Sequence, residues 1–276
     1  MTIKAENVSF SYPPNIPALR GISLEIANGE FVALMGENGA GKTTLIKHFN
    51  GLLKPSSGRV LIDGVETTRR SVAELSREVG IVFQNPNHQL FCDDVESEIS
   101  FALKNFGFDP PTIKRRVDWV LELLGIEKHR HTSPILLSEG EKKRVALACV
   151  LAWDPKCLVV DEPTLGQDYS HKKRLLELLK TLNRDGRTVI IVTHDVEFAV
   201  RCQCRVCLMT AGRLIADGAA DEILTDAALV KKAALLLPQV TEVFQSLIDL
   251  GFPPNIVGIQ EARDFITRKI LESHRG

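Results

Sequence analysis

One stretch near the amino terminus decides the fold: Gly36-Glu37-Asn38-Gly39-Ala40-Gly41-Lys42-Thr43. An apolar run at residues 31–35 precedes it, and residues 44–49 continue it with the spacing of a helix. A buried strand before a Gly-x-x-x-x-Gly-Lys-Thr loop and a helix after it are the context of a phosphate-binding loop. In such a loop, backbone N–H groups and the positive end of the helix face phosphate oxygens. A plain glycine-rich turn does not account for four fixed positions in this order.

Two side chains of the loop have specific roles in this pattern. We expect Lys42 to reach the β- and γ-phosphate oxygens, and the Thr43 hydroxyl to hold Mg²⁺. The sequence therefore predicts a nucleoside triphosphate and Mg²⁺ as ligands.

The composition limits the class of protein. The 276 residues are 44% hydrophobic and 25% charged, which suits one large domain or a domain with an appendage. A net charge of −1 supplies no basic field, so nucleic-acid binding gains no support. Six cysteines, several inside apolar stretches, indicate a reducing, cytosolic environment rather than a disulfide framework. No signal peptide is recognisable, and the longest apolar run, residues 145–153, is about half of the ~18 residues that a membrane helix needs. We expect any membrane connection to run through a partner.

A later apolar run, residues 157–160, leads directly to two carboxylates, Asp161 and Glu162. Charges at the end of a buried strand are costly unless they meet a cation or a reacting water. With a phosphate loop upstream, Asp161 is expected to support Mg²⁺ and Glu162 to activate water.

Two more strands end in polar residues that suit the same site. Residues 188–192 lead to His194, which either hydrogen-bonds a γ-phosphate or caps the helix that starts at Asp195. Residues 81–83 lead to Gln84, which is placed to meet Mg²⁺ or water because ligands in open α/β sheets gather at strand carboxyl ends.

Residues 85–137 interrupt the parallel-sheet pattern with helical patterns, which predicts an inserted helical lobe. The next helix begins at Ser138, and Glu141 three residues on predicts a capping box, which alone explains both residues. Within the lobe, His129 and His131 are interpreted as solvated residues.

Two features stay open at this stage. Tyr12 follows the first predicted strand, where it either stacks on an adenine ring or is a half-exposed strand-end tyrosine. Residues 226–276 carry two amphipathic helical stripes, which either pack on the parent domain or form a subunit contact, and the second is favoured.

Taken together, these motifs resemble the nucleotide-binding subunit of ATP-binding cassette transporters over roughly residues 2–220. The resemblance rests on GENGAGKTT (36–44), Gln84, LSEGE (137–141), LVVDEPT (158–164), Gly166-Gln167-Asp168 and Thr193-His194-Asp195. It implies an α/β P-loop NTPase fold with an antiparallel β subdomain and a RecA-like parallel core. A helical lobe at about 85–137 is inserted in the ATPase domain (1–225), and a small helical extension (226–276) follows.

The resemblance also implies the role of each motif. The nucleotide-binding residues would be Tyr12, Gly36, Asn38, Gly39, Ala40, Gly41, Lys42, Thr43 and Thr44. Thr43, Gln84 and Asp161 would hold Mg²⁺, and Glu162, His194 and Gln84 would act in hydrolysis. Ser138 and Gly140 would close in trans on ATP held by an opposing subunit, with Asp168 at the same interface.

A narrower resemblance is to the energy-coupling-factor ATPases. It rests on FQNPNHQLF (83–91), LPQVT (237–241) and GFPP (251–254). It implies a second ATPase subunit, in a homo- or heterodimer, an integral membrane scaffold protein and a membrane substrate-binding protein. The chain would be a peripheral subunit on the cytoplasmic face of the membrane that drives uptake of a vitamin or a transition-metal ion.

The signature departs from the family pattern, Leu-Ser-Gly-Gly-Gln, at two positions. Glu139 replaces the first glycine and Glu141 the glutamine. Repulsion between a carboxylate and a phosphate at ~6 Å reaches roughly 3 kcal/mol at an effective dielectric constant of about 20. Our hypothesis is that this signature serves the weaker site of an asymmetric pair, which an unchanged ATPase rate in Glu139→Gly would contradict.

Two other functions compete. The ATPase of another transporter class fits less well, because the tail and residues 85–91 resemble the energy-coupling type. Non-transport cassette proteins in repair or translation carry coiled-coil insertions or two cassettes, and this sequence has neither.

Overall fold

The computed structural model describes residues 1–273 of the chain. In this part of the chain the strands are β1 (Ile3–Tyr12), β2 (Ile16–Ile26), β3 (Phe31–Met35), β4 (Ser57–Ile62), β5 (Val65–Glu66), β6 (Val79–Val82), β7 (Cys157–Asp161), β8 (Thr188–Thr193), β9 (Arg205–Thr210) and β10 (Arg213–Ala219). The helices are α1 (Lys42–Phe49), α2 (Val72–Glu78), α3 (Val95–Asn105), α4 (Pro110–Leu124), α5 (Glu139–Leu151), α6 (Tyr169–Arg184), α7 (Val196–Cys202), α8 (Ala220–Ile223), α9 (Ala227–Lys232), α10 (Gln239–Ser246) and α11 (Ile259–Ser273).

A four-stranded antiparallel sheet has the order β2-β1-β4-β5. Its strands alternate buried and exposed side chains, as expected when one face of a sheet packs on a core. Asp63 and Gly64 connect β4 to β5, both with positive φ, 49° and 79°. These dihedral angles suit a two-residue hairpin turn, which explains the Asp-Gly pair.

A six-stranded sheet has the order β10-β9-β3-β8-β7-β6. Every pair except β9–β10 is parallel. Both faces of β3 are covered, with Ala33 and Met35 in one core cluster and Val32 and Leu34 in another. Burial on both faces explains why β3 reads as a continuous apolar run in the sequence. The predicted α/β class with an antiparallel and a parallel sheet is confirmed.

The two helices of the helical insertion, α3 and α4, pack against each other and against α5. Val95 and Ile99 of α3, Val120 and Leu121 of α4, and Val145 of α5 are fully buried in the larger core cluster. Gly125 ends α4 in the left-handed region (φ 60°), as a C-terminal glycine commonly does.

The carboxy-terminal segment divides into two parts by its packing. Val230 of α9 and neighbouring Ala233 lie in the larger core cluster, although the predicted domain boundary falls at residues 225/226. A separate small cluster joins α10 to α11 through Phe244, Ile256 and Ala262, with Phe252 and Phe265 around them. A subunit contact through these helices stays a prediction.

Removing the central ring of the small cluster tests whether this cluster alone holds α10 and α11 together. Phe244 is 3% exposed, and its ring centroid lies 5.3 Å from that of Phe252 and 5.8 Å from that of Phe265. We expect Phe244→Ala to cost about 3–5 kcal/mol locally, because it leaves a cavity. Amide hydrogen exchange in α10 and α11 should accelerate, while β3 and β8 stay protected. The control is Val243→Ala at a position that is 54% exposed, and equal acceleration in both variants would contradict the prediction.

Candidate functional site

Three strand ends meet at one edge of the parallel sheet. Met35 at the end of β3 pairs with Thr193 of β8, and Asp161 at the end of β7 pairs with Val192. Since these strands are parallel neighbours, the loop after β3 lies beside Glu162 and His194. This carboxyl edge is where open α/β sheets bind ligands.

Two glycines of the loop at 36–43 are required by close approaches of the backbone. A Cβ atom on Gly36 (φ 144°) would lie 2.0 Å from the carbonyl oxygen of Met209. A Cβ atom on Gly41 (φ 98°) would lie 2.5 Å from the carbonyl oxygen of Ala18. Both positions therefore exclude any larger residue.

Lys42 is buried beneath this loop, with 6% of the residue exposed. Its ammonium group donates hydrogen bonds to the carbonyl oxygens of Gly36 (2.7 Å) and Glu37 (2.8 Å). Burial lowers the pKa of Lys42, and the nearby charges of Glu162 and Asp161 oppose that shift. The side chain is thus held between the loop and the two carboxylates.

Thr43 and Asp161 form the polar contact below the loop. The Thr43 hydroxyl donates to Asp161 Oδ2 at 2.8 Å. Asp161 Oδ1 is buried and has no hydrogen-bond partner within residues 1–273. Burial raises the pKa of Asp161, and the hydrogen bond from Thr43 partly offsets this rise. An oxygen-only donor pair with one buried free oxygen fits a small hard cation such as Mg²⁺.

Glu162 and His194 form a second polar pair beside the first. His194 Nδ1 lies 2.9 Å from Glu162 Oε1, and Glu162 Oε2 is buried without a partner among the described residues. Glu162 has a left-handed backbone conformation (φ 48°), and its N–H donates to the carbonyl of Val192 at 2.8 Å. Backbone strain at a buried charge is typical of functional sites.

Tyr12 reaches the start of α1 from the antiparallel sheet. Its hydroxyl lies 3.2 Å from the Thr44 hydroxyl, and its ring meets the Phe10 ring edge to face with centroids 4.9 Å apart. The remaining loop residues lie in the turn between β3 and α1: Asn38, Gly39 and Ala40.

Gln84 is not joined to this cluster by a hydrogen bond. It follows β6, the strand next to β7, and its side chain is exposed. It makes no hydrogen bond with any residue of the described part of the chain. Of the predicted Mg²⁺ residues, the structure therefore brings together Thr43 and Asp161 but not Gln84.

The predicted capping box at the start of α5 is present. Ser138 donates to Glu141 Oε2 from its backbone N–H (3.0 Å) and its hydroxyl (2.7 Å), and Ser138 Oγ accepts from the Glu141 N–H (3.4 Å). Together with nearby His129, these bonds lower the pKa of Glu141 to about 2. Gly140 follows in the first turn of α5, which is partly exposed.

The interpretation of His129 as a solvated residue is wrong. Its side chain is only 16% exposed, and its Nε2 lies 2.8 Å from Glu141 Oε1. The sequence offered no signal for this contact, because it depends on how the loop after α4 folds back onto α5. His131, by contrast, is 79% exposed.

Asp168 is the N-cap residue of α6. Its side chain accepts from the His171 N–H at 2.8 Å, which caps the helix. His171 Nδ1 lies 2.9 Å from the other Asp168 oxygen.

The chain is similar to a known family in sequence and to solved proteins in structure. The family model described as ABC transporter matches residues 19–165, which include the loop at 36–43 and both carboxylates. A dimeric ATP-binding cassette in a post-hydrolysis state, bound to ADP and Pi, superposes with a TM-score of 0.73 at 30% identity, covering 79% of this chain and 98% of that one.

Relatives with higher sequence identity indicate which class of ABC transporter protein the chain resembles. The energy-coupling factor transporter ATP-binding protein EcfA of Methanothermobacter thermautotrophicus is 41% identical, over 92% of this chain and 82% of its own length. EcfA2 of Clostridium tetani is 39% identical over 95% of both chains. The structure of cbiO1 from Clostridium perfringens, part of the ABC transporter complex cbiONQ, has a TM-score of 0.73 at 38% identity and covers 88% of this chain and 98% of its own.

The chain belongs to the ABC transporter family and, within it, to the energy-coupling factor transporter ATP-binding proteins. Like that family, it binds and hydrolyses ATP.

The charge of Glu141 predicts a pH-dependent contribution to stability. Because the pKa of Glu141 is lowered on folding, its stabilisation is fully present above the ordinary value near 4.5 and is lost as the pH falls towards about 2. Glu141→Gln keeps a side-chain oxygen that can accept hydrogen bonds from Ser138 but removes the negative charge. We expect the melting temperature of the native chain to exceed that of the variant above pH 5, with the difference shrinking below it. Glu122→Gln, at an exposed position of α4, is the control, and a constant difference across this range would contradict the prediction.

Proposed function

We propose that this chain is the ATP-hydrolysing subunit of an energy-coupling factor importer, powering uptake of a vitamin or a transition-metal ion through membrane partners. The observation that carries the proposal is the pair of contacts at one sheet edge, Thr43–Asp161 and Glu162–His194. Each pair leaves one buried carboxylate oxygen without a partner within the described residues. Such oxygens are costly unless a ligand or water meets them.

In this proposal the loop and its neighbours bind the triphosphate of ATP: Gly36, Asn38, Gly39, Ala40, Gly41, Lys42, Thr43 and Thr44. Lys42 exchanges its bonds to the carbonyls of Gly36 and Glu37 for bonds to phosphate oxygens. The positive end of α1 adds to the favourable field. Tyr12, already in contact with Thr44, stacks on the adenine ring.

Thr43 and Asp161 would hold Mg²⁺, with Gln84 joining after a movement of the segment that follows β6. When bound, the cation supplies charge neutralisation to the phosphates. The free oxygen of Asp161 and its hydrogen bond with Thr43 support this role.

Glu162 is the general base and His194 the residue that contacts the γ-phosphate. Glu162 Oε2 has no protein partner within residues 1–273 and takes a proton from the attacking water. The contact of Glu162 Oε1 with His194 Nδ1 orients both side chains and leaves His194 Nε2 for the phosphate. The water oxygen bonds to the γ-phosphorus as the bond to the β–γ bridging oxygen breaks, and release of Pi then takes the γ-phosphate out of the site.

A second ATPase subunit completes each site. Ser138 and Gly140 of the signature close on ATP held by the opposing subunit, and Asp168 lies at the same interface. The exposed start of α5 supports this arrangement. Glu139 places a carboxylate between Ser138 and Gly140, and we assign this signature to the weaker site of an asymmetric pair.

The membrane partners are an integral scaffold protein and a membrane substrate-binding protein. No helix in residues 1–273 is long and apolar enough to cross a membrane. We place the chain on the cytoplasmic face of the membrane, with residues 84–110 passing the motion of the ATPase to the scaffold. Phe91 (67% exposed) and Phe101 (45% exposed) pair on this segment and support such a contact.

Neutralising the proposed base tests the hydrolytic step. We expect Glu162→Gln to lower kcat roughly 10²- to 10⁴-fold, because it removes the proton acceptor. ATP binding, followed with a fluorescent ATP analogue, should persist, since the loop and Lys42 are unchanged. Glu122→Gln on exposed α4 should match the native rate. A Glu162→Gln protein that keeps more than about a third of the native kcat would remove Glu162 from this role.

Affinity capture of the tagged chain from detergent-solubilised native membranes tests the importer role. We expect mass spectrometry to identify an ABC ATPase, either a second cassette or this chain itself, with an integral scaffold and a small membrane protein. The membrane proteins would indicate the cargo. Recovery of soluble partners alone would contradict the importer role while leaving the ATPase intact.

A further inference from the structure

We propose that Lys142 is a positioning residue that holds the Glu139 carboxylate away from the nucleotide, and that its contact with Asn87 maintains this position. The inference rests on the proposed function, in which Ser138 and Gly140 close on ATP held by the opposing subunit. Glu139 lies between those two residues, so its charge would face the triphosphate unless another group holds and neutralises it.

The geometry of Lys142 carries the proposal. Its Nζ lies 3.3 Å from Glu139 Oε1 and donates to Asn87 Oδ1 at 3.0 Å. The Lys142 side chain is only 13% exposed, whereas that of Glu139 is 65% exposed. The lysine is therefore packed against the protein, and the glutamate is the more exposed partner of the pair.

Asn87 is itself held in one orientation. Its backbone N–H and its Nδ2 both donate to Asn85 Oδ1, at 3.0 and 3.1 Å. With Nδ2 directed to Asn85, Oδ1 is left to accept from Lys142. The ammonium group thus has one neutral acceptor that is held in place, Asn87 Oδ1, and one exposed charged acceptor, Glu139 Oε1.

The neighbouring lysine, Lys143, makes its hydrogen bond elsewhere, although the charge of Glu139 opposes the lowering of the Lys143 pKa by burial. Lys143 donates its ammonium hydrogen bond to the backbone carbonyl of Leu165, on the segment that follows Glu162. Within residues 1–273, Lys142 is the cation in ion-pair contact with Glu139. Lys142 is therefore the ammonium group in direct contact with the extra carboxylate of this signature.

The same contacts connect the signature to the segment that follows Gln84. Gln89 accepts from the Phe83 N–H at 3.3 Å and donates from Nε2 to the Ala146 carbonyl of α5 at 3.4 Å. With the Asn87–Lys142 bond, this makes two connections between residues 85–91 and α5. A displacement of this segment by a membrane partner would move Asn87 relative to Lys142 and so change how Glu139 is held.

A double-mutant cycle on the purified full-length chain, with the partners that copurify with it, tests the assignment. Lys142→Met should raise the KM for ATP about five- to tenfold with kcat changed less than about threefold, because the freed carboxylate repels the bound triphosphate. In a Glu139→Gln background the same substitution should change KM by less than about twofold. Lys114→Met, at an exposed position of α4 outside residues 84–110, is the control and should leave both constants unchanged.

Two further readouts separate charge from structure. Raising NaCl from about 50 to about 300 mM should shrink the KM defect of Lys142→Met, because salt screens exposed charges. Asn87→Ala, which leaves the lysine in place, should raise KM in the same direction by about two- to threefold, and Glu139→Gln should cancel this rise too. Asn87→Ala keeps the test available if Lys142→Met does not fold.

The outcomes that overturn the assignment are specific. A KM defect of Lys142→Met that persists in the Glu139→Gln background, or no defect at all, removes Lys142 from this role. Lys42→Ala distinguishes that failure from a failure of the proposed function. If Lys42→Ala abolishes hydrolysis while the cycle is additive, only the inference fails, and if it hydrolyses ATP at the native rate, the proposed function fails as well.

Discussion

The burial of three charged side chains at one sheet edge is the constraint on which the rest of the structure depends. Lys42, Asp161 and Glu162 are 6%, 4% and 5% exposed. Charges in a protein interior are tolerated when they are paired. Here the charges of Glu162 and Asp161 oppose the lowering of the Lys42 pKa by burial, and the charge of Lys42 opposes the rise of the Asp161 pKa. Two carboxylate oxygens of the cluster nevertheless lack protein partners within residues 1–273. The fold thus leaves buried carboxylate oxygens at this edge that a bound ligand can satisfy.

Parallel strand order makes this burial possible. Thr43 and Asp161 are 118 residues apart in the chain, and Glu162 and His194 are 32 apart, yet each pair is in contact. Because β3, β8 and β7 are consecutive parallel neighbours, every segment that leaves their carboxyl ends does so at the same edge. The helices and the antiparallel sheet cover the apolar faces and leave this edge open.

Contacts at the start of α5 connect the signature to the segment that contains Asn87. The start of α5 carries the signature. There the Glu141 side chain accepts hydrogen bonds from Ser138 in the capping box and also contacts His129. Glu139 on the first turn remains exposed and is met by Lys142, which also contacts Asn87. The two carboxylates that depart from the family pattern therefore have different surroundings. One is part of the helix cap, and the other depends on a neighbouring segment.

The sequence by itself determined the order of the elements and the chemistry of the motifs, because apolar periodicity, glycine spacing and capping residues act over a few neighbouring positions. That sufficed for the phosphate loop, the two carboxylates at the end of β7, the capping box of Ser138 and the α/β class. Only the tertiary structure decided the contact of Tyr12 with Thr44 and the partly buried contact of His129 with Glu141. It also decided the separation of Gln84 from the Thr43–Asp161 pair, and the place of Lys142 between Glu139 and Asn87. These depend on side chains from segments far apart in the chain, whose approach is set by packing of the lobe and the sheets rather than by local preference.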